Sequence, residues 1–401
     1  MKYAVIACDG MSERIIHGEG VQTSLSSASI HTADKLSCSG EYGIAKTTDT
    51  VTLPDTLKAN IYLMGYDPKS TFTGGSAFRA VAGGINIMQG DVVFSCKFLS
   101  LSDEEKYEEK TILSEISDLG FDEKEQIFTL LSEKLDSKIF SFGLSKYGEL
   151  FLIWHEGEPN PGLLYSADEG MKTADVMPRG DFAEPLCNLM RKSNELLTGS
   201  GVNTERTASG KPEIDSILIS DAGTLSQAIQ FKEKYGHNGV VISPDEAVEG
   251  FAKYIGMEAI HYEDIEKDRI AEKTVDCLCS GKDYVYIHID SPSVYSMKKD
   301  SSGKIRCIEI IDKAVLSELI DGLSARNEEY RIMFISSFSC NVNEGFITSE
   351  PVPYVIYDSR SEESSTTVYN EQKAFEAGKY IEYGTDITEY LLSSFNENKN
   401  E

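Results

Sequence analysis

From residue 214 onward the chain repeats one pattern: a short, almost purely apolar run, a turn signal, then a segment with helically spaced apolar residues. The apolar runs fall at 216–220, 239–243, 258–261, 284–290, 331–336 and 353–357, and the helical segments at 224–235, 244–255, 266–279 and 309–323. Runs without polar alternation mark strands buried on both faces. Strands alternating with helices build an α/β sheet covered on both sides. One more such run stands at the other end of the chain, Tyr3-Ala4-Val5-Ile6-Ala7-Cys8, stopped by Asp9-Gly10. Its character places it in the same sheet. The core is therefore discontinuous: both ends of the chain build it and the middle is inserted.

The middle reads differently. Strands are expected at 92–98, 138–142 and 150–154, and a capping-box signature, Asp122-Glu123-Lys124-Glu125, opens a helix to about 135. Breaks at Pro159-Asn160-Pro161-Gly162 and Met177-Pro178-Arg179-Gly180 precede a helix at 183–198 and a Gly/Ser/Thr-rich linker at 199–210. That mixture describes a small α+β domain. The expected division is 1–88 for the first part of the core, 89–206 for the insertion and 207–401 for the second part. Within the first part, helices are expected at 29–36, 55–64 and 77–87 and a strand at 42–46, with polar loops at 17–29 and 359–367 and a frayed tail at 396–401.

Charge narrows the partners. The 401 residues carry 66 acidic against 38 basic side chains, a formal net charge of −28, which argues against nucleic acid and anionic membrane as partners. No apolar run reaches the length of a membrane span, and the first is too short for a secretory leader, so a cytoplasmic protein is expected. The eight cysteines are scattered, and Cys277-x-Cys279 has no second pair to make a metal site. Cys340, in Ser336-Ser337-Phe338-Ser339-Cys340, has no basic neighbour in sequence to depress its pKa and reads as an inert loop thiol.

Asp9 stands at the carboxyl end of its strand, where open α/β sheets gather ligands. A carboxylate there either holds a cation or polarises a nucleophile, or it satisfies the backbone of the turn. Residues 1–11 leave both readings open.

The remaining motifs carry a resemblance. Met1 to Met11 resembles the opening of the cofactor-independent phosphoglycerate mutases of the archaeal type. Ala59-Asn60 followed by Leu63-Met64-Gly65-Tyr66-Asp67-Pro68 is similar too, as are Thr71-Phe72-Thr73-Gly74 and Val202-Asn203 with Gly210-Lys211-Pro212. So are Tyr284-Val285-Tyr286-Ile287-His288-Ile289-Asp290 before Pro292, Glu309-Ile310-Ile311-Asp312-Lys313, and Pro351-Val352-Pro353-Tyr354. The matches run in order over nearly the whole chain. The resemblance implies an alkaline phosphatase-like three-layer core with an inserted α+β phosphotransferase-type domain. It also implies two divalent cations, Mn²⁺ or a similar ion, flanking a hydroxyl nucleophile, about 4 Å apart so that they clamp attacking and leaving oxygens.

The departures from that pattern fall on the chemistry. Where the family has Gly-Ser-Asp before Ala-Asn, this chain has Asp55-Thr56-Leu57, with Thr56 in the nucleophile position. Ser293 and Met297 stand where the family has an Asp and, four residues on, a His; Ser337-Phe338 stands for an Asp-His pair, and Ile347 for a further His. Asp9 is the one metal-ligand position retained. On the substrate side, Thr73-Gly74-Gly75 lacks the family's arginine, Gly148-Glu149-Leu150 replaces an Arg-His pair, and 118–121 holds no histidine. The resemblance therefore implies a non-catalytic paralogue with a binding or regulatory role, no tightly bound cofactor, and a phosphorylated small molecule or a protein as partner. The alternative is an active glycolytic isomerase interconverting 3-phosphoglycerate and 2-phosphoglycerate through Thr56, with Mn²⁺ or another divalent ion held by Asp9 and by Asp283, Asp290 or Asp300 on a rearranged loop.

Overall fold

The computed structural model describes residues 1–14, 22–48, 55–71, 73–157, 162–163, 166–262, 269–362 and 365–393; the frayed tail expected at 396–401 lies outside them. In chain order the strands are β1 (Lys2–Cys8), β2 (Glu41–Ala45), β3 (Val92–Leu101), β4 (Ile112–Ile116), β5 (Phe140–Leu144), β6 (Leu150–Trp154) and β7 (Ser216–Thr224). They continue with β8 (Gly239–Ser243), β9 (Glu258–His261), β10 (Tyr284–Ile289), β11 (Tyr330–Ser336), β12 (Ser339–Cys340), β13 (Ile347–Thr348), β14 (Val352–Asp358) and β15 (Tyr380–Ile381). The chain divides into two compact units, 1–70 with 228–401, and 71–227.

The first unit holds an eight-stranded sheet in the order β15-β2-β14-β11-β1-β10-β8-β9. β1 lies between β10 and β11 and pairs in parallel with both, Ala7 opposite His288 and Ile335. The amino-terminal run thus completes a sheet whose neighbours come from the far end of the chain. β14 alone runs antiparallel to its neighbours. Both faces are covered. Ala4, Ile6 and Cys8 of β1 pack with the helices His31–Ser39, Ile270–Cys279 and Ser301–Ile310. The alternate residues Val5 and Ala7 are also fully buried, on the side of the helices Thr56–Leu63, Glu246–Tyr254 and Ile387–Leu392. This two-sided burial is why the strand shows no polar alternation.

The helix expected at 309–323 is three pieces: Ser301–Ile310, a π-helical stretch Ile311–Ser317, and Glu318–Ala325. The Glu309–Lys313 motif has a structural use. Ile30 precedes the helix His31–Ser39 and has no side chain to cap it. Asp312 supplies the missing acceptor, taking the amides of Thr32 and Ala33 at 3.1 and 2.8 Å, and Glu309 takes that of Ser29 at 3.0 Å.

In the second unit β3 is central. It pairs antiparallel with β4 and β6 along one edge and with β7 along the other. One face packs on the helices Phe121–Leu135 and Glu184–Leu197. The other packs on Ser76–Ala82 through Ala77, Ala80, Val93 and Phe151. The run 216–220, expected in the core sheet, belongs here as part of β7; an antiparallel strand covered on both faces is as uniformly apolar as a parallel one. Residues 71–88 and 207–227, expected with the core, accordingly cluster with the insertion. The expected linker at 199–210 contains a helix, Gly201–Ala208, capped by Ser200 Oγ, and of the helix expected at 224–235 only Phe231–Tyr235 forms.

Candidate functional site

The carboxyl ends of β1, β10 and β11 converge, and Asp9 lies at the centre of them. Gly10 turns the chain there with φ +62°, and a Cβ on it would come 2.8 Å from Cys340 Cβ and 3.0 Å from Ser293 Cβ. Only glycine lets the three loops approach so closely. Asp9 is fully buried. Its Oδ1 is 3.4 Å from Asn60 Nδ2, and its Oδ2 is 3.1 Å from His288 Nε2, an ion-pair distance without hydrogen-bond alignment.

His288 is buried on the same face, its Nδ1 2.9 Å from Ser243 Oγ. Burial, the largest influence, favours the neutral ring, yet the Asp9 carboxylate, aided by Asp245 and Asp290, outweighs it and raises the pKa. His288 is therefore the basic side chain that faces Asp9. It is a strand residue, and period-two alternation with Tyr286 aims it at Asp9.

Thr56 opens the helix Thr56–Leu63, whose first turn is capped by Asp55. Its carbonyl accepts from Asn60 Nδ2 at 2.8 Å, so Asn60 ties the nucleophile position to Asp9 one turn later. The other ligand positions converge but bring no donors suited to metal. Ser293 Oγ donates to Asp290 O at 2.7 Å, and Met297 is 52% exposed. Phe338 is buried in a small apolar cluster with Ala59 and Cys340, against which Ile347 packs. Where the resemblance implies two histidines, the fold has made a hydrophobic contact.

The substitute ligands do not reach Asp9's end of the sheet in a useful form. Asp283 precedes β10, at the amino edge, where it accepts from Asn238 N. Asp300 accepts from Gly303 N as the cap of the helix Ser301–Ile310. Asp290 lines a pocket with Ile289 and Ile270, on the sheet's other face. Near Asp9, the buried atoms lacking a hydrogen bond among the described residues include Ser12 Oγ and Ser337 Oγ. One carboxylate beside an imidazole, plus hydroxyls, does not fit two divalent cations, which take about four to six or more oxygen or nitrogen donors each.

A second buried charge cluster was not legible in the sequence. Lys304, fully buried, donates to Cys340 O at 2.8 Å and pairs with Glu13 at 3.0 Å. Glu13 N donates to Glu371 Oε1 and Thr23 Oγ1 to Glu371 Oε2. Burial pushes Glu371 up to about 7, with Glu13 adding to it. Cys340 is buried and its thiol is likewise pushed up, away from a reactive thiolate. Because the folded state holds a proton on Glu371 that the unfolded chain releases near its ordinary value, stability falls as pH rises between about 4.5 and 7. Glu371→Gln is expected to flatten that slope in thermal melts across the same window; an unchanged slope would contradict the assignment.

In the second unit, Arg79 is consumed internally. Its Nε meets both Glu149 oxygens at 3.1 Å, and its Nη2 meets Asp221 Oδ2 at 2.8 Å and Ser95 Oγ at 2.6 Å. Glu149, at the position of the implied Arg-His pair, thus neutralises a cation instead of adding one. Asp118 similarly pairs with Arg206.

Comparison with known proteins points to one family. The family model described as 2,3-bisphosphoglycerate-independent phosphoglycerate mutase matches residues 38–203. The 2,3-bisphosphoglycerate-independent phosphoglycerate mutase of Methanothrix thermoacetophila is 27% identical over 407 residues, covering 98% of this chain and 100% of the relative. The solved PH0037 protein from Pyrococcus horikoshii superposes with a TM-score of 0.77 at 20% identity, covering 98% of this chain and 96% of that one. The cofactor-independent phosphoglycerate mutase from Thermoplasma acidophilum does so with a TM-score of 0.65 at 21% identity, covering 98% and 99%. Among the described residues, no helix is long and apolar enough to cross a membrane.

Proposed function

We propose that the chain, similar over nearly its whole length to 2,3-bisphosphoglycerate-independent phosphoglycerate mutases, is a non-catalytic paralogue in that family with a binding or regulatory role. One observation carries the reading: the implied ligand positions hold Ser293, Phe338 and Ile347, and Phe338 is buried in an apolar cluster with Ala59 and Cys340 against which Ile347 packs. Asp9 itself lies 3.1 Å from the buried His288 Nε2.

The same geometry favours a protein over a phosphorylated small molecule as the partner of this end of the sheet. His288 is matched by Asp9 and Lys304 by Glu13. Among the described residues these cations leave no surplus positive charge for a phosphoryl group. Calorimetric titration of chelator-treated protein with Mn²⁺ tests the proposal. No saturable heat is expected, in wild type or in Asp9→Ala. Saturable binding of two ions that Asp9→Ala weakens would overturn it and favour the active mutase, with Thr56 as nucleophile.

A further inference from the structure

The face of the core sheet opposite Asp9 carries a feature the family reading does not use. Cys8 and Ile289 point to that face, whereas Asp9 and His288 point away from it. A cavity of about 520 Å³ opens there, within the range that holds small molecules and cofactors. Its floor is apolar and buried: Ile270, Ile289 and Val315. One wall is the π-helical stretch Ile311–Ser317, a conformation that is rare and concentrates at functional sites.

The rim has the opposite character. Lys298 and Arg306 line it, are exposed, and form no ion pair among the described residues. Asp290 is the one carboxylate among the described lining residues, so these residues carry net positive charge in a chain of net charge −28. Exposed apolar groups flank the cations, Val294 at 37% and Ile310 at 61%. Gly303 shapes the wall between them, since a Cβ there would meet the Tyr295 ring at 2.4 Å.

We propose that this pocket binds a small amphipathic monoanion, its apolar body on the Ile270, Ile289 and Val315 floor and its carboxylate- or sulfonate-type head between Lys298 and Arg306. Apolar burial supplies most of the affinity and the two cations fix the orientation. The inference is independent of the activity of the Asp9 site, which lies across the sheet.

The probe is 8-anilino-1-naphthalenesulfonate, an aromatic monosulfonate, titrated by fluorescence into the full chain with octanoate as competitor. Saturable single-site binding displaced by octanoate is expected. Lys298→Glu with Arg306→Glu is expected to weaken it by about 10-fold or more, roughly 1.4 kcal/mol, and Ala314→Trp, which fills the cavity, to abolish it. Lys232→Glu, an exposed cation elsewhere, is expected to leave it unchanged. The rim side chains are exposed, so circular dichroism of the charge-reversed protein should match wild type even if Ala314→Trp fails to fold. Unsaturable binding, or a saturable site indifferent to the charge reversal, overturns the proposal.

Discussion

Purified protein given 3-phosphoglycerate and Mn²⁺ is expected to form no 2-phosphoglycerate beyond the protein-free control. The phosphoryl transfer that the family resemblance implies depends on two cations that lower the nucleophile's pKa and hold the attacking and leaving oxygens. Thr56 has a hydroxyl in the right place on its helix, tied to Asp9 through Asn60. A threonine hydroxyl at its ordinary pKa is nonetheless a poor nucleophile without an adjacent base or metal. Asp9 cannot serve as that base while it is engaged by His288. Enzymes typically accelerate their reactions by about 10⁶-fold or more, and on the non-catalytic reading almost none of that remains to be measured. The cofactor-independent phosphoglycerate mutase from Thermoplasma acidophilum, assayed in parallel, guards against a failed assay. Turnover that requires Mn²⁺ and disappears in both Asp9→Ala and Thr56→Val would refute the non-catalytic reading.

His288→Leu is expected to destabilise the protein by about 3–5 kcal/mol, because it strands a buried carboxylate without its counter-charge. Native domains are stable by only about 5–15 kcal/mol, so the loss should be plain in urea denaturation followed by circular dichroism. The double variant Asp9→Ala with His288→Leu removes both charges. It should be markedly less damaged than His288→Leu alone, since replacing a buried pair by apolar groups is often close to neutral. The coupling in that cycle measures the ion pair itself. A His288→Leu cost under about 1 kcal/mol, with additive single effects, would mean that His288 is a neutral packing residue and that Asp9 is satisfied in some other way.

Sequence and structure divide the explanation unevenly. The α/β class, the discontinuous core and the membership of β1 in the same sheet as β10 and β11 were legible, because a strand buried on both faces leaves an apolar run without alternation wherever it stands in the chain. The residue types at Asp9 and at the implied ligand positions are read from the sequence alone. Ser293, Met297, Phe338 and Ile347 cannot donate as Asp or His does in any fold.

What the tertiary structure decided was every partnership between distant residues. Nothing in an apolar run says which sheet it joins, so 216–220 read as a core strand although β7 pairs with β3. Gly201–Ala208 read as a linker because its glycine and hydroxyl residues are poor helix formers, and Ser200 at the cap overrides that weak preference. His288 and Asp9 are 279 positions apart in sequence, Lys304 and Glu13 farther still, and no local pattern links either pair. His288 meets Asp9 because β1 lies beside β10 and alternate side chains of a strand share a face, and Lys304 meets Glu13 from the helix Ser301–Ile310. The sequence alone thus determined which residue types stand at the implied ligand positions. Only the fold decided which side chains face Asp9 and Glu13, since Coulombic partnership depends on distance in space and on burial from water.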